Sequence, residues 1–153
     1  MYWLQLFLSL EGRITRLEFW TGIGLLICFQ LMFQVPAVSL GEIDIEKGDI
    51  PIWFRNLALA LDVVCAWPLC AVMVKRQADR DQGPRISLYI LTLYLTFSML
   101  EAFGLSMQNK QLTPLALAIV LPLLGLLGIA LVELGMRRGT IGPNRFGPDP
   151  LQG

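Results

Sequence analysis

The sequence contains no histidine. This absence excludes the Ser-His-Asp triad, Cys-His nucleophile pairs and most zinc sites. Its three cysteines, Cys28, Cys65 and Cys70, form no CxxC pair and lie in apolar stretches, so we interpret them as small buried residues rather than a disulfide framework. The chain also lacks a glycine-rich phosphate loop, an HExxH motif, a GxSxG motif and an aromatic-basic face for nucleic acid. We therefore predict a non-enzymatic protein with no catalytic residues, no metal site, no cofactor and no nucleic-acid partner.

Charge is also scarce. Charged residues make up 16% of the chain and hydrophobic residues 55%, whereas an ordinary soluble domain is about one-quarter charged. Four apolar stretches lie near residues 19–38, 52–74, 86–106 and 112–135. Each has about the 20 residues that a helix needs to cross a hydrocarbon core. The runs are continuous rather than alternating, which favours helices over strands. The sequence thus predicts an all-α polytopic membrane protein, with one domain over residues 1–153 forming a four-helix transmembrane bundle and a tail over 136–153.

The distribution of positive charge predicts how the bundle is oriented. Nine of the twelve basic residues fall on one side of the predicted spans: Arg13, Arg16, Lys75, Arg76, Arg80, Arg85, Arg137, Arg138 and Arg145. The other side has Lys47, Arg55 and Lys110, and its first loop is acidic. Because basic residues concentrate in cytoplasmic segments of membrane proteins, both termini and the middle loop are expected in the cytoplasm.

Three segments carry a family resemblance. They are Gly-Arg-Ile-Thr-Arg-Leu-Glu-Phe-Trp at 12–20, Lys-Arg-Gln-Ala-Asp at 75–79 and Gly-Thr-Ile-Gly-Pro-Asn-Arg-Phe-Gly-Pro-Asp-Pro at 139–150. Together they resemble the DUF805 family of small bacterial inner-membrane proteins, whose pattern is "GR..R.EFW", an "RRLHD" loop and an "NRFGPDP" end. The resemblance implies a multi-pass protein of the bacterial inner membrane, and it implies no activity. Gln77 and Ala78 stand where the pattern has Leu and His, so no role of that histidine carries over.

The polar residues of these segments form a candidate binding face. They are Arg13, Arg16, Glu18, Arg76, Asp79, Arg145 and Asp149. Arginines at the headgroup plane are suited to gripping lipid phosphate or a partner's carboxylate; the alternative is an ordinary headgroup anchor. Glycine-proline turns predict that the tail folds back as a strap, with Arg145 or Asp149 pairing with the middle loop, for example at Asp79 or Arg76. A free, solvated tail is the alternative.

A second polar group lies inside the predicted spans. Arg55, Asp62 and Glu101 are charged residues in apolar surroundings, and such residues usually face the bundle interior or water. Their positions allow a cluster that serves as a proton or ion relay or a substrate contact. A structural pair between helices is the alternative. Near the end of the last span, Glu133 and Arg137 have the i, i+4 spacing of a local helix-supporting pair.

These observations favour one function over two others. The leading interpretation is a non-enzymatic platform that binds a membrane partner or anionic lipid at its cytoplasmic face. The alternative is a small oligomeric transporter or channel that uses Asp62 and Glu101. A lipid-modifying enzyme is the weakest reading, because no nucleophile–base pair can be named. The sequence determines neither the ligand nor the oligomeric state.

Overall fold

The computed structural model describes residues 3–39, 50–108 and 111–151. Helices dominate, as predicted. The elements are α1 (Trp3–Leu8), α2 (Arg16–Ser39), α3 (Ile52–Asp79), α4 (Arg85–Ala102), β1 (Met107–Gln108), β2 (Gln111–Leu112), α5 (Pro114–Ala130) and a π-helix (Leu131–Met136). The acidic loop predicted between the first two spans lies outside the described residues.

Three helical segments are long and apolar enough to cross a membrane: Arg16–Pro36, Ile52–Asp79 and Pro114–Met136. They correspond to the first, second and fourth predicted spans. The third predicted span corresponds to α4, which has 18 residues and charged groups near both ends, Arg85 and Glu101. Helix α4 is not among the three segments found apolar enough to cross, so a fourth crossing stays a prediction.

Two helix boundaries differ from the predicted ones for physical reasons. Helix α3 continues to Asp79 instead of ending near residue 74, because its last turn is buried against other segments. Helix α4 ends at Ala102 instead of residue 106, since Gly104 has a φ of 70° and an antiparallel hairpin follows. Periodicity and hydropathy do not reveal this two-stranded hairpin between α4 and α5.

Helix α3 occupies the centre of the bundle. It packs against α1, α2 and α4, while α5 packs against α4 and the π-helix against α2. Where Gly22 of α2 faces α3, a Cβ on this residue would lie 3.1 Å from the Val72 side chain, so a glycine allows close packing of the two helices there. The core cluster includes Phe19, Val72, Met73 and Leu134. Most other apolar side chains of α2 and α5 are exposed, as expected of helices solvated by lipid.

The short helix α1 is fixed to α3 by two side chains. The buried ammonium of Lys75 donates to the carbonyl oxygens of Leu6, at 3.0 Å, and Gln5. The indole of Trp67 donates to the carbonyl of Leu8 at 3.1 Å. Carbonyls at a helix C-terminus have no partner within the helix, so these donors satisfy the end of α1. Lys75 therefore lies in a helix and is fully buried, although the sequence placed it in a loop.

Candidate functional site

The segments near both termini meet at one end of the bundle, which we call the basic end. It consists of residues 9–15, the start of α2, the end of α3, the π-helix and the strap, residues 137–151. The strap folds back over the last turn of α3. The Thr140 N–H donates to the Asp79 carbonyl at 2.8 Å, and the Asn144 side-chain amide donates to the Ala78 carbonyl at 2.9 Å. The strap thereby provides partners for carbonyls that the end of any helix leaves free.

Asp79 lies at the centre of the basic end. Its Oδ1 accepts hydrogen bonds from Arg13 Nε at 3.1 Å and Nη2 at 3.0 Å, and its Oδ2 accepts one from Arg76. In the ion pairs Arg13–Asp79 and Arg76–Asp79, both side chains are almost fully buried. Buried charges are tolerated only when they are paired and hydrogen-bonded. We call this trio of Arg13, Arg76 and Asp79 the lock.

The remaining donors of the two lock arginines reach backbone carbonyls of other segments. Arg13 donates to the strap at Thr140, 2.7 Å, and Gly142, 2.8 Å. Arg76 donates to Leu134 in the π-helix at 2.6 Å and to Arg137 at 2.7 Å. A guanidinium has five N–H donors in a fixed plane, which allows each arginine to bind several segments. The lock therefore joins four segments: residues 9–15, which precede α2; helix α3; the π-helix; and the strap.

Helix α2 begins with a capping box. The Thr15 hydroxyl accepts from the Glu18 N–H at 3.2 Å, and the Glu18 carboxylate accepts from the Thr15 N–H at 2.8 Å. This reciprocal pair stabilises a helix start. One turn further on, the Trp20 indole donates to the Gly135 carbonyl at 3.2 Å. A Cβ on Gly135 would lie 2.5 Å from the Trp20 ring, so this contact requires glycine.

The π-helix supplies carbonyls and a carboxylate to this end. Besides Gly135, its Met136 carbonyl accepts from Arg16 at 3.2 Å. Glu133 pairs with Arg137 at 2.6 Å and with Arg80, just after α3, at 2.9 Å. The predicted pair of Glu133 and Arg137 is therefore present, and Glu133 additionally joins the π-helix to α3. Single-turn π segments are frequent at functional sites.

A cavity of about 440 Å³ opens between the start of α2, the lock and the strap. Arg16, Arg76 and Arg138 line it, together with the carboxylates of Asp79 and Asp149. Asp79 is already neutralised within the lock. Arg16 and Arg138 are exposed and form no ion pair with another described residue. We call this cavity the basic pocket.

Asp149 orders the part of the strap that borders the pocket. Its carboxylate accepts hydrogen bonds from the N–H groups of Leu151, at 3.0 Å, and Gly142, at 2.9 Å. These two donors lower the pKa of Asp149 below the ordinary value, in that order of importance. Arg145 makes the predicted ion pair between the strap and the middle loop, since its Nε lies 3.0 Å from Asp81 Oδ1. Arg145 does not pair with Asp79, and Asp149 does not pair with Arg76, because the lock already occupies both.

The second polar group surrounds Asp62 in the middle of α3. Its carboxylate accepts hydrogen bonds from Gln30 of α2 at 2.9 Å and from the hydroxyls of Tyr94 and Ser98 of α4. Gln30 also donates to the Tyr94 hydroxyl at 3.0 Å. Polar side chains that bond across helices hold membrane bundles together. Asp62 therefore links α2, α3 and α4.

Arg55 and Glu101 do not join this group through hydrogen bonds. The Arg55 guanidinium lies against Gly104, where any Cβ would overlap it. Within the described part of the chain, no hydrogen bond or ion pair connects Arg55, Asp62 and Glu101 with one another. No group of three or more Cys, Asp or Glu side chains in the described ranges is arranged to hold a metal ion.

The family profile for DUF805, "protein of unknown function", matches residues 7–148. The chain belongs to the DUF805 family. It is 31% identical over 151 residues to "Uncharacterized protein YiiR" of Escherichia coli K12, covering 95% of this chain and 88% of that protein, and the same values hold for YiiR of Escherichia coli O157:H7. No solved structure matches the chain.

The three segments that carry the DUF805 resemblance are the ones that meet at the basic end. The first supplies Arg13 and the capping box, the second supplies Arg76 and Asp79, and the third supplies the strap. Ala78 occupies the position of the pattern's histidine, and the contact made there is through its backbone carbonyl. This contact does not depend on the missing imidazole.

The predicted face residues thus divide into two sets. Arg13 and Arg76 both pair with Asp79, Glu18 caps α2 and Arg145 pairs with Asp81. Arg16 and Asp149 line the basic pocket without belonging to the lock.

Sequence reasoning missed two further contributors, Arg138 in the pocket and Asn144 in the strap. The Thr-x-x-Glu spacing at residues 15–18 was a readable signal for the capping box. Nothing local in the sequence marks Arg138 as different from its neighbour Arg137.

Proposed function

We propose that this DUF805 protein is a non-enzymatic integral protein of the bacterial inner membrane whose basic end faces the cytoplasm and binds anionic lipid headgroups. The observation that carries the proposal is the basic pocket, with Arg16 and Arg138 exposed at its rim. Guanidinium groups bind phosphate oxygens with paired N–H donors, and basic residues near the membrane attract anionic lipids.

The course of the chain supports four crossings with both termini on one side. Helix α3 and the π-helix both end at the basic end, where Arg80 meets Glu133, and α5 begins at the far end. Helix α4 leads from the end of α3 toward the start of α5, and it packs along both of these helices. Its 18 residues span about 27 Å at the helical rise, which is close to the roughly 30 Å of the hydrocarbon core.

The charge of the basic end supports its placement in the cytoplasm. Of the three arginines that line the basic pocket, Arg76 is paired with Asp79 within the lock, so the exposed pair of Arg16 and Arg138 keeps its charge available. The lock gives this pair a rigid frame, because it fixes the start of α2 and the strap, which carry the two arginines, to the same helix. A binding group held by a rigid frame loses less conformational entropy when it binds.

The transport alternative stays a prediction. Asp62 is its principal candidate group, and that carboxylate accepts hydrogen bonds from side chains of two neighbouring helices. This arrangement serves a structural role between helices without requiring a transported ion.

Lipid analysis after reconstitution tests the proposal. The protein would be extracted into nanodiscs from bilayers of phosphatidylcholine and phosphatidylglycerol, and the retained lipid quantified by mass spectrometry. We expect enrichment of phosphatidylglycerol, reduced in the Arg16→Gln/Arg138→Gln variant and unchanged in Arg85→Gln. Arg85 is a matched control, because it is an exposed arginine near the same end that does not line the pocket. No enrichment, or an equal loss in the control, would refute headgroup recognition, and a stoichiometric protein partner in cell extracts would point to a platform for proteins instead.

A further inference from the structure

We infer that the basic pocket is one half of a site for a single anionic phospholipid, and that a groove between α2 and α5 holds one of its acyl chains. This inference rests on the proposed headgroup recognition and adds a position for the chain. The groove has a volume of about 250 Å³, and its floor is formed by α3 and α4. Its lining is apolar over most of its length and includes Ile23, Ile27, Met73, Ile90 and Leu127.

The groove opens sideways, toward the hydrocarbon. Its rim residues Ile27 and Leu131 are half-exposed, whereas the floor residues Met73 and Ile90 are buried. Helices α2 and α5 do not pack closely against each other above this floor, and the π-helix is the part of the last span that packs against α2. An occupant would therefore enter from the surrounding bilayer rather than from water.

The length of the groove corresponds to one leaflet. It extends along α2 from Trp20 to Gln30, which is about 15 Å at the helical rise. The hydrocarbon core is about 30 Å thick, so the groove covers half of it. Its deep end is polar: Gln30 and Tyr94 lie there with their side chains bound to Asp62. A chain that starts at the headgroup plane would thus end where the polar group begins, near the middle of the membrane.

The lining of the groove suits an acyl chain. Apart from Trp20 at one end and Gln30 and Tyr94 at the other, the lining side chains are apolar, and the methylene groups of an acyl chain need no hydrogen-bond partner. A single chain can therefore lie along the groove, which is about 15 Å long, from the headgroup plane to the middle of the membrane.

The groove and the basic pocket lie next to each other along α2. Arg16 borders the pocket and Trp20 borders the groove, and residues four apart lie on the same face of a helix, one turn from each other. Tryptophan is typical of the headgroup level. A phospholipid whose phosphate binds Arg16 and Arg138 would thus place the start of its chain beside Trp20. The charge at one end and the apolar lining at the other match the two parts of an anionic phospholipid.

Photo-crosslinking locates the chain. The probes are phosphatidylglycerol and phosphatidylcholine that carry a diazirine in one acyl chain, incorporated at equal fractions in separate nanodisc samples. Labelled peptides are then mapped by mass spectrometry. We expect phosphatidylglycerol to label the groove around Ile27 and Leu127 more strongly than phosphatidylcholine does, by about fivefold for each contributing arginine. The Arg16→Gln/Arg138→Gln variant should label the groove equally with both lipids.

A pair of variants tests the groove itself. Leu127→Phe adds volume inside the groove, and Leu124→Phe makes the same change on α5 at an exposed residue outside it. We expect the first to reduce groove labelling several-fold and the second to leave it unchanged, with equal thermal unfolding midpoints showing that both variants fold.

The outcomes separate this inference from the proposed function. Headgroup enrichment that needs the two arginines, combined with labelling spread evenly over the exposed faces of α2 and α5, would overturn the groove and leave the proposed function standing. Equal labelling of the groove by both lipids in the unmodified protein would show ordinary bilayer lipid and would also overturn the inference. If phosphatidylglycerol is not enriched at all, both fail.

Discussion

The lock makes a strong prediction about stability, which Asp79→Asn tests. The substitution keeps the shape of the side chain but removes its charge. It also replaces one carboxylate oxygen, which accepts a hydrogen bond from Arg13 or Arg76, with an amide N–H₂ that can only donate. Two guanidinium groups would then remain buried without a counter-ion. Removing one partner of a buried ion pair costs about 3–5 kcal/mol, and we expect a loss of about 3 kcal/mol or more in the free energy of unfolding.

The neighbouring residue Asp81 provides the control. It pairs with Arg145, and the two side chains are 46% and 62% exposed. Exposed ion pairs contribute about 1 kcal/mol or less. Asp81 has a φ of 55°, a conformation that asparagine tolerates better than most residues. Asp81→Asn should therefore cost about 1 kcal/mol or less, although it makes the same chemical change only two residues away.

Equilibrium unfolding in mixed detergent micelles measures both variants under the same conditions. A larger loss for Asp79→Asn than for Asp81→Asn, by about 2 kcal/mol, is the expected result. Equal losses would show that Asp79 is hydrated in solution and that the lock is not a buried charge network. Tryptophan fluorescence is a suitable probe, because Trp20 binds the π-helix beside the lock.

Three further predictions concern the same end of the molecule. A methyl group on Gly139 would overlap the Asp79 carboxylate, so Gly139→Ala should lower the thermal midpoint clearly in the unmodified protein and much less in an Asp79→Ala background. Thr15→Ala removes the hydroxyl that caps the Glu18 N–H and should cost about 1 kcal/mol in the same unfolding assay, whereas Thr15→Ser should not. The pKa of Asp149 is depressed in the folded protein, so the ionised carboxylate stabilises the fold. This stabilisation should be complete above the ordinary pKa of 3.8 and be lost as the pH falls through the lower folded pKa. Asp149→Asn should remove that part of the pH dependence of the thermal midpoint.

The sequence predicts the helices well because each apolar run is a local property. The starts of α3 and α5 fall within two residues of the predicted positions. The end of α3 was harder to predict, since Lys75 and Arg76 resemble the start of a loop. Both are helical because distant backbone carbonyls, such as that of Leu6, accept from them. Hydropathy measures transfer of a side chain from water and does not include such partners.

The pairings at the basic end were predicted only in part for a related reason. Glycine-proline turns showed that the strap folds back, and an ion pair with the middle loop was expected. Which residues pair depends on competition. Asp79 is reached by Arg13 from 66 residues away, so it is not available to Arg145, which takes the next carboxylate, Asp81. A single sequence gives the charges of these groups but not which pairs the fold brings together.

Burial determines which residues of the basic end stabilise the fold and which are available to a ligand. The lock residues exchange nearly all their hydrogen bonds with one another and with backbone, so a ligand would have to break buried contacts to reach them. Arg16 and Arg138 are exposed, and a ligand can bind them at little cost to the fold. Substitutions in the lock should therefore change stability and binding together, whereas Arg16 and Arg138 should change binding alone. All three lock residues and most of the strap lie in the segments shared with the family pattern, whereas Arg138 lies just outside them. We therefore expect relatives that keep those segments to keep this frame, while the proposed headgroup site would vary with the residues that border the pocket.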